Sequence, residues 1–300
     1  MSVYNPNMDF FSQQLSSLND QTYKNIELII WDDCPEHPID TSVVEKCITN
    51  FSFKLLSENK NLGVTKAFEK LTDLANGEYI AYCDQDDVWE PNKIEICLET
   101  IQKDNSLIVT SDRSIIDAEN RVLYESERRS NPPKGRTWNT GDDITRQAMF
   151  FCYAPGMTIF VRSDIAKKCI PFPLECFHDR WLILCASVYG KASFIDKPLV
   201  RYRRHGKNSS GLFIDIHSKA DYYDIRVRSA CQLTSVFLER FNDYKHNDQI
   251  AAFAKARQEK DILSIFKFRD LSTRSAYFEI ALKFIPDFLF KWALSILKKR

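Results

Sequence analysis

Three carboxylates within four positions, Asp84, Asp86 and Asp87, follow the strand-like run EYIAYC and precede a tryptophan. Crowded carboxylates repel one another and resist ionising together, so such clusters persist where a cation or an acid–base reaction uses them. A solvated acidic turn is the commoner alternative. The cluster therefore predicts either a ligand site or an exposed loop, and the elements around it decide between the two.

Strand-like and helix-like segments alternate over the first two thirds of the chain. Apolar strand-like runs lie at residues 25–33, 53–59, 78–87, 106–117, 150–162 and 192–205. Between them, GVTKAFEKLTDLANG and EPNKIEICLETIQK carry apolar residues at three- and four-residue steps, which is typical of amphipathic helices. Gly77 is the expected C-cap of the first of these helices. This alternation predicts an α/β domain with a largely parallel sheet.

Acidic and polar residues end three of the predicted strands: Asp32–Asp33, Glu58–Asn59 and Asp84–Asp87. In open α/β sheets, ligands bind beyond the carboxyl ends of the strands. The convergence of these residues favours a ligand site over a solvated turn.

A basic segment, RYRRHG, closes the last strand-like run. Alternation along a strand would place Arg201, Arg203 and His205 on one face. Such a face suits a diphosphate, whereas the alternative interpretation is a solvated strand edge.

Composition excludes several classes of protein. The 300 residues include 41 basic and 41 acidic side chains, so no overall positive field attracts nucleic acid. Nine cysteines, mostly in apolar runs, indicate reduced core thiols of a cytoplasmic protein. We expect neither a signal peptide nor a transmembrane helix, because the required apolar runs are absent from the sequence.

Several spaced segments together resemble family 2 glycosyltransferases of the GT-A fold, and look most like the bacterial rhamnosyltransferase-like branch that builds cell-surface polysaccharides. The segments are SVYNP, QTYKNIELIIWDD, NKNLGVTKAFEKLTDLANGEYIAYCDQDDVWEPNK, HDRWL and PLVRYRRHGKNSSG. The resemblance implies a GT-A catalytic domain over residues 1–211, with a Rossmann-like, mostly parallel mixed sheet flanked by helices. Residues 212–300 would form a helical C-terminal extension.

The resemblance also implies a reaction, namely inverting, metal-dependent transfer of a sugar from a UDP- or dTDP-linked donor to a hydroxyl of a glycan or lipid-linked glycan acceptor. In the family, D-x-D carboxylates hold Mn²⁺ or Mg²⁺, hard cations that prefer carboxylate oxygens. The matching residues are Asp84 and Asp86, and His205 matches a histidine near the metal and the diphosphate.

Other roles follow from the same resemblance. Asp179, in HDRWL, matches the base that takes the acceptor's proton. His178 departs from the Glu-Asp pair that is usual in the family. The alternative interpretation of Asp179 is a carboxylate that only stabilises the first turn of a helix. The residues that the resemblance and the spacing place near the nucleotide are Tyr4, Asp32, Asp33, Lys66, Arg201 and Arg203.

The C-terminal segment from Lys283 to Arg300 contains five basic residues, one acidic residue and many apolar ones. This composition predicts either a helix packed on its own domain or an amphipathic segment lying on an anionic membrane surface. The second alternative would place a cytoplasmic protein peripherally at the inner face of the cell membrane.

Two other functions stay open at this point. DQDDV also fits the D-x-D-x-[TV] motif of haloacid-dehalogenase-type phosphatases, which would use Asp84 and Asp86, but that motif normally follows the first strand of its domain and here two predicted strands precede it. The other alternative is an inactive, transferase-like scaffold. The presence of the metal acids, the base and the basic strand together argues against it, because inactive relatives often lose at least one of them. Family members usually carry residues before SVYNP, so we expect either a natural start upstream of Met1 or an unusually short first strand.

Overall fold

The computed structural model describes residues 1–130, 138–205 and 215–297. It contains two compact units, of which the first comprises Met1–Asp143 and Cys152–Gly206 and the second Ile144–Phe151 and Lys207–Arg300. The domain boundary predicted at residue 211 lies outside the described residues.

The described strands all belong to the first unit. They are β1 (Ser2–Val3), β2 (Leu28–Asp32), β3 (Phe53–Ser57), β4 (Tyr79–Ala81), β5 (Val88–Trp89), β6 (Ile108–Ile116), β7 (Val122–Tyr124), β8 (Phe160–Arg162) and β9 (Ala192–Arg203). All five residues of β2 are buried. The continuous apolar run LIIW predicts such a strand, covered on both faces, and Asp32 ends it.

The strands form two sheets. Strands β1, β2 and β3 pair in parallel in that order, with Trp31 opposite Ser2 on one side and Leu56 on the other. The second sheet has the order β4-β8-β6-β9-β5, with β7 beside β6. Its central pair, β6 and β9, is parallel, whereas β8 is antiparallel to both β4 and β6. The α/β class with a mixed sheet is therefore confirmed, and parallel pairing is restricted to these three strand pairs among the described residues.

The helices of the first unit are α1 (Met8–Asn19), α2 (Thr41–Cys47), α3 (Val64–Leu74), α4 (Lys93–Asp104), α6 (Ser163–Lys168) and α7 (His178–Tyr189), with a single 3₁₀ turn at Gly156–Thr158. Helix α1 begins at Asn7, whose side chain accepts hydrogen bonds from two backbone N–H groups of the first turn. Helix α3 ends at Ala75, two residues before the predicted cap Gly77, and Asn105 ends α4 in the left-handed conformation.

The regular secondary structure in the described residues of the second unit is helical. It contains α5 (Thr145–Ala148), α8 (Lys219–Tyr222), a π-helical turn at Tyr223–Val227, α9 (Arg228–Arg240), α10 (Asn247–Glu259), α11 (Ile262–Lys267), a 3₁₀ turn at Arg269–Leu271, α12 (Thr273–Phe284) and α13 (Asp287–Leu297). A buried ion pair joins Arg257 of α10 to Glu279 of α12 at 2.7 Å, and the Tyr222 hydroxyl donates to the same carboxylate. In the part of the chain that the structure describes, the helices are too short or too polar to cross a lipid bilayer.

Candidate active site

The acidic cluster lies on the loop between β4 and β5, hereafter the acid loop (residues 82–87). Asp87 is fully buried, and its Oδ1 accepts a hydrogen bond from the backbone N–H of Arg203 at 3.1 Å. Loss of hydration, together with the nearby charges of Asp86 and Asp179, raises the pKa of Asp84 to about 7. Loss of hydration is also the main cause that raises the pKa of Asp87 well above its usual value. The loop thus concentrates negative charge that a bound cation would offset.

His205 lies directly against the acid loop. Its Nε2 is 2.7 Å from Asp86 Oδ2, and both side chains keep about a fifth of their surface exposed. Adjacent ligands of an octahedral Mg²⁺ are roughly 3 Å apart, because each metal–oxygen bond is about 2.0–2.1 Å. The spacing of these two donors therefore fits a divalent cation.

The described residues contain no group of three His, Cys, Asp or Glu side chains arranged to hold a metal. This does not conflict with a cation at Asp86 and His205, since Mg²⁺ is usually bound by one or two carboxylates and completed by water and substrate phosphates. The donor set present fits that kind of site.

Arg203 holds the backbone of the acid loop through its guanidinium group. The side chain is fully buried, and its Nε donates to the backbone oxygen of Asp86 at 2.9 Å. The other guanidinium nitrogens donate to Asn120 Oδ1 at 2.6 Å and Gln13 Oε1 at 2.9 Å, and the group packs on the Phe10 ring. These contacts favour a positioning role for Arg203.

Arg201 has different surroundings, although it has the same parity on β9. Its Nε donates to Glu90 Oε1 at 2.7 Å, and about half of its side-chain surface is exposed. The prediction that Arg201, Arg203 and His205 form one exposed basic face is therefore wrong, because Arg201 pairs with Glu90 and Arg203 is buried. His205 contacts the carboxylate of Asp86, which belongs to the D-x-D motif.

The two acids at the end of β2 connect loops. Asp32 accepts hydrogen bonds from Cys34 N at 3.1 Å and Ile39 N at 2.7 Å. Asp33 accepts from the N–H groups of Leu62 and Gly63 at 2.7 and 2.9 Å. Both side chains are buried. Their contact with the nucleoside stays a prediction. Their hydrogen bonds hold the loop after β2 and the loop before α3 in place.

Tyr4 and Lys66, also predicted near the nucleotide, differ in their surroundings. The backbone N–H and C=O of Tyr4 pair with the side-chain amide of Gln85 in the acid loop, while the Tyr4 ring is exposed. Lys66 Nζ instead donates to Glu69 and to the backbone oxygen of Phe172 at 3.2 Å. Tyr4 is thus attached to the acid loop, whereas Lys66 bridges α3 to the segment before α7.

Asp179 lies in the first turn of α7. Its Oδ1 accepts a hydrogen bond from Arg180 N at 2.6 Å, and its Oδ2 is 3.7 Å from the Cys152 thiol. Loss of hydration raises the pKa of Asp179, and its charge contributes to the raised pKa of Asp84. The predicted base and the predicted metal acids therefore lie within electrostatic range of one another, in one site.

His178, beside Asp179, is a buried neutral residue. Its ring stacks on Phe68 at 3.8 Å between centroids, and burial lowers its pKa to about 3. A Cβ added to Gly156 would lie only 2.6 Å from His178 Nε2. Glycine is thus required at position 156 by the close approach of the ring.

Sequence reasoning missed two buried cations near the acid loop. Lys93 opens α4 and is fully buried, with its Nζ 3.6 Å from the centroid of the Trp89 ring. Arg113, on β6, donates from Nε to Glu127 Oε2 at 2.7 Å. Neither has a distinctive sequence signal, since a lysine at a helix start and an arginine in a polar strand both suggest solvated side chains.

Comparisons with known proteins agree with this architecture. The chain resembles the crystal structure of Staphylococcus aureus TarS 1–349 in complex with UDP-GlcNAc, with a TM-score of 0.60 and 18% identity over 90% of this chain and 80% of that one. The GT-A fold is thereby confirmed. The sequence model described as "Glycosyl transferase family 2" matches residues 1–167. The chain belongs to glycosyltransferase family 2.

Two relatives are informative. A dTDP-rhamnosyl transferase of Shigella flexneri is 26% identical over 238 residues, which cover 73% of this chain and 76% of the relative. A UDP-Glc:alpha-D-GlcNAc-diphosphoundecaprenol beta-1,3-glucosyltransferase of Escherichia coli is 31% identical over 106 residues, covering 35% of this chain and 41% of the relative. Family membership removes the phosphatase alternative, which required a different fold.

Proposed function

We propose that this protein is an inverting, metal-dependent glycosyltransferase that moves a sugar from a UDP- or dTDP-linked donor to a hydroxyl of a glycan or lipid-linked glycan during surface polysaccharide synthesis. The observation that carries the proposal is the grouping of Asp84, Asp86, His205 and Asp179 in one acidic site. The names of the two relatives, which mention dTDP, UDP and a diphosphate-linked lipid, support the choice of donor and acceptor.

In this proposal, Asp86 and His205 would hold Mn²⁺ or Mg²⁺, and the nearby charge of Asp84 would attract the cation. The bound ion would neutralise the charge that develops on the leaving diphosphate. Arg203 keeps the backbone of the acid loop in place. Asp179 accepts the proton of the acceptor hydroxyl as the oxygen attacks the anomeric carbon. The hydroxyl oxygen forms the new bond on the face opposite the departing diphosphate, which inverts the configuration.

Calorimetric titration of UDP and dTDP, with and without Mn²⁺, tests the donor site. We expect metal-dependent binding of at least one nucleotide, and we expect Asp86→Ala to weaken it by about tenfold or more, because a charge-assisted ligand is lost. Asp164→Ala is the matched control. Asp164 lies on α6, outside the acid loop, and forms an exposed ion pair with Arg162 at the end of β8. Equal binding by wild type and Asp86→Ala would contradict the assignment of the metal site.

We further propose that the protein works at the cytoplasmic face of the membrane and contacts it through α13. Phe288 and Trp292 lie four residues apart on α13, and Phe284 is the last residue of α12. Each of the three exposes at least 64% of its surface, whereas Phe290 and Leu294 of α13 are buried. Lys298, Lys299 and Arg300 end the sequence. Exposed apolar side chains that are followed in the sequence by basic residues are typical of segments that insert among acyl chains and bind anionic headgroups.

Sedimentation with vesicles containing anionic phosphatidylglycerol tests this surface. The double variant Phe288→Glu/Trp292→Glu is expected to lower the fraction bound to vesicles several-fold. The change replaces two apolar side chains by carboxylates, which the anionic lipid repels. Leu263→Glu is the matched control, since Leu263 is also exposed but lies on α11. Equal sedimentation of all three proteins would eliminate the proposed membrane contact.

A further inference from the structure

Arg113 is a largely buried arginine whose hydrogen-bonding capacity is only partly used. Its side chain is 16% exposed, its Nε donates to Glu127, and its guanidinium packs 4.4 Å above the Tyr202 ring. The Nη1 group reaches only the Met157 sulfur, at 3.7 Å. Arginine carries five N–H donors in a planar fork, and in the part of the chain that the structure describes no hydrogen bond engages Nη2. One end of the fork is therefore available to a ligand.

Arg113 shares its carboxylate partner with a second arginine. Glu127 Oε2 pairs with Arg113 Nε at 2.7 Å, and Glu127 Oε1 accepts from Arg204 Nη2 at 3.2 Å. Because its two oxygens serve two guanidinium groups, Glu127 engages Arg113 at Nε and leaves the donors of Nη2 for another hydrogen-bond acceptor.

The position of Arg113 indicates which substrate would supply an anion at Nη2. Arg113 Nη1 is 3.7 Å from the sulfur of Met157, and Met157 follows Gly156, where an added Cβ would lie 3.8 Å from Asp179 Cβ. Arg113 is also within electrostatic range of Asp84. Asp179 is the candidate base, and a base takes its proton from the acceptor. Asp84 and Asp87 do not themselves hydrogen-bond Arg113. Because the proposed cation at Asp86 and His205 takes the donor's diphosphate, a further anionic group at Nη2, on the side of Asp179, would belong to the acceptor.

We propose that Arg113 binds an anionic group of the acceptor, a carboxylate or a phosphate, and that the transferase selects an acidic acceptor sugar. This inference rests on the proposed function, whose acceptor class it narrows. A carboxylate or phosphate fits the guanidinium fork in a bidentate manner, which a neutral hydroxyl cannot reproduce. The uncharged counterpart of the same sugar would lack the charge-assisted contact with Nη2.

Binding of small acceptor probes tests the inference. Wild-type protein saturated with UDP or dTDP and Mn²⁺ is titrated with methyl β-D-glucuronide, glucose 1-phosphate and neutral methyl β-D-glucoside. We expect at least one anionic probe to bind about tenfold or more tightly than the glucoside, since a charge-assisted bidentate contact is gained. The stronger of the two anionic probes distinguishes a carboxylate from a phosphate acceptor.

Two substitutions separate a binding role from a structural one. Arg113→Gln is expected to abolish the preference for the anionic probe and to leave nucleotide binding within about twofold, while Arg113→Lys keeps part of the preference because the charge remains. Arg162→Gln, which removes an exposed arginine on β8, is expected to behave as wild type.

Three outcomes would overturn the inference: equal binding of charged and neutral probes, a preference that persists in Arg113→Gln, and no binding of either anionic probe to the nucleotide-bound protein. Loss of nucleotide binding in Arg113→Gln with an unchanged preference would show instead that Arg113 only supports the acid loop. A wild type without metal-dependent nucleotide binding would overturn the proposed function and this inference together.

Discussion

Asp179→Asn is expected to lower the turnover of sugar transfer by about 10²- to 10⁴-fold, the usual contribution of a positioned general base. The amide that replaces the carboxylate has nearly the same shape but cannot accept the acceptor's proton. Metal-dependent binding of UDP or dTDP should stay within about twofold of wild type, because Asp179 is not among the proposed ligands of the cation. Release of nucleoside diphosphate from a UDP- or dTDP-sugar measures turnover.

The surroundings of Asp179 explain why this carboxylate suits the task. Loss of hydration raises its pKa, which makes the ionised form a stronger base than an exposed aspartate. The backbone N–H of Arg180 holds one oxygen at 2.6 Å, so the carboxylate has a defined direction at the start of α7. Both features concern proton transfer rather than binding, and the loss should therefore affect kcat and not nucleotide affinity.

Asp164→Asn is the matched control for this substitution. Asp164 also lies in the first turn of a helix, α6, so the same change removes a comparable favourable interaction with the helix dipole, about 0.3–1 kcal/mol. If Asp179→Asn turned over as fast as Asp164→Asn, the only role of Asp179 would be at the helix terminus. If wild type itself had no turnover with bound nucleotide-sugar, the scaffold alternative would replace the enzyme.

The strand and helix pattern predicted the fold well where the chain alternates between the two. Helix α3 and strands β2, β3, β6 and β9 lie inside the segments predicted for them, and α4 extends one residue beyond its predicted segment, to Asp104. The run at residues 150–162 is different, because only Phe160–Arg162 forms a strand and Gly156–Thr158 forms a helical turn. A local apolar pattern cannot distinguish a buried strand from a buried irregular segment. The antiparallel entry of β8 between β4 and β6 depends on tertiary contacts and has no local signal.

The candidate site shows a similar limit. Residue types and the family resemblance selected the acids, but they could not show which partners each side chain would meet. Asp33 fixes the backbone of Leu62 and Gly63, about thirty residues further along the chain. Arg201 and Arg203 share a strand face by parity, yet Glu90 pairs with one and Gln13 accepts from the other. Such partners come from distant segments, which a single sequence does not place in space.

His178→Phe is expected to make the free energy of unfolding less sensitive to acid. In the folded protein, burial lowers the pKa of His178 to about 3, whereas an unfolded histidine titrates near 6.5. Between these values the unfolded chain binds a proton that the folded chain does not, so stability falls as the pH falls from about 6.5 toward 3. Phenylalanine keeps the stack on Phe68 and binds no proton.

The size of this effect follows from proton linkage. One proton bound only by the unfolded state changes the free energy of unfolding by about 1.4 kcal/mol per pH unit, so acidification from pH 6.5 to 4.5 should cost wild type about 2–3 kcal/mol more than His178→Phe. Urea denaturation at several pH values measures the difference. The same change at exposed His37 controls for the substitution itself. Parallel curves for wild type and His178→Phe would contradict a buried, neutral His178, and with it the close approach of the ring that requires glycine at position 156.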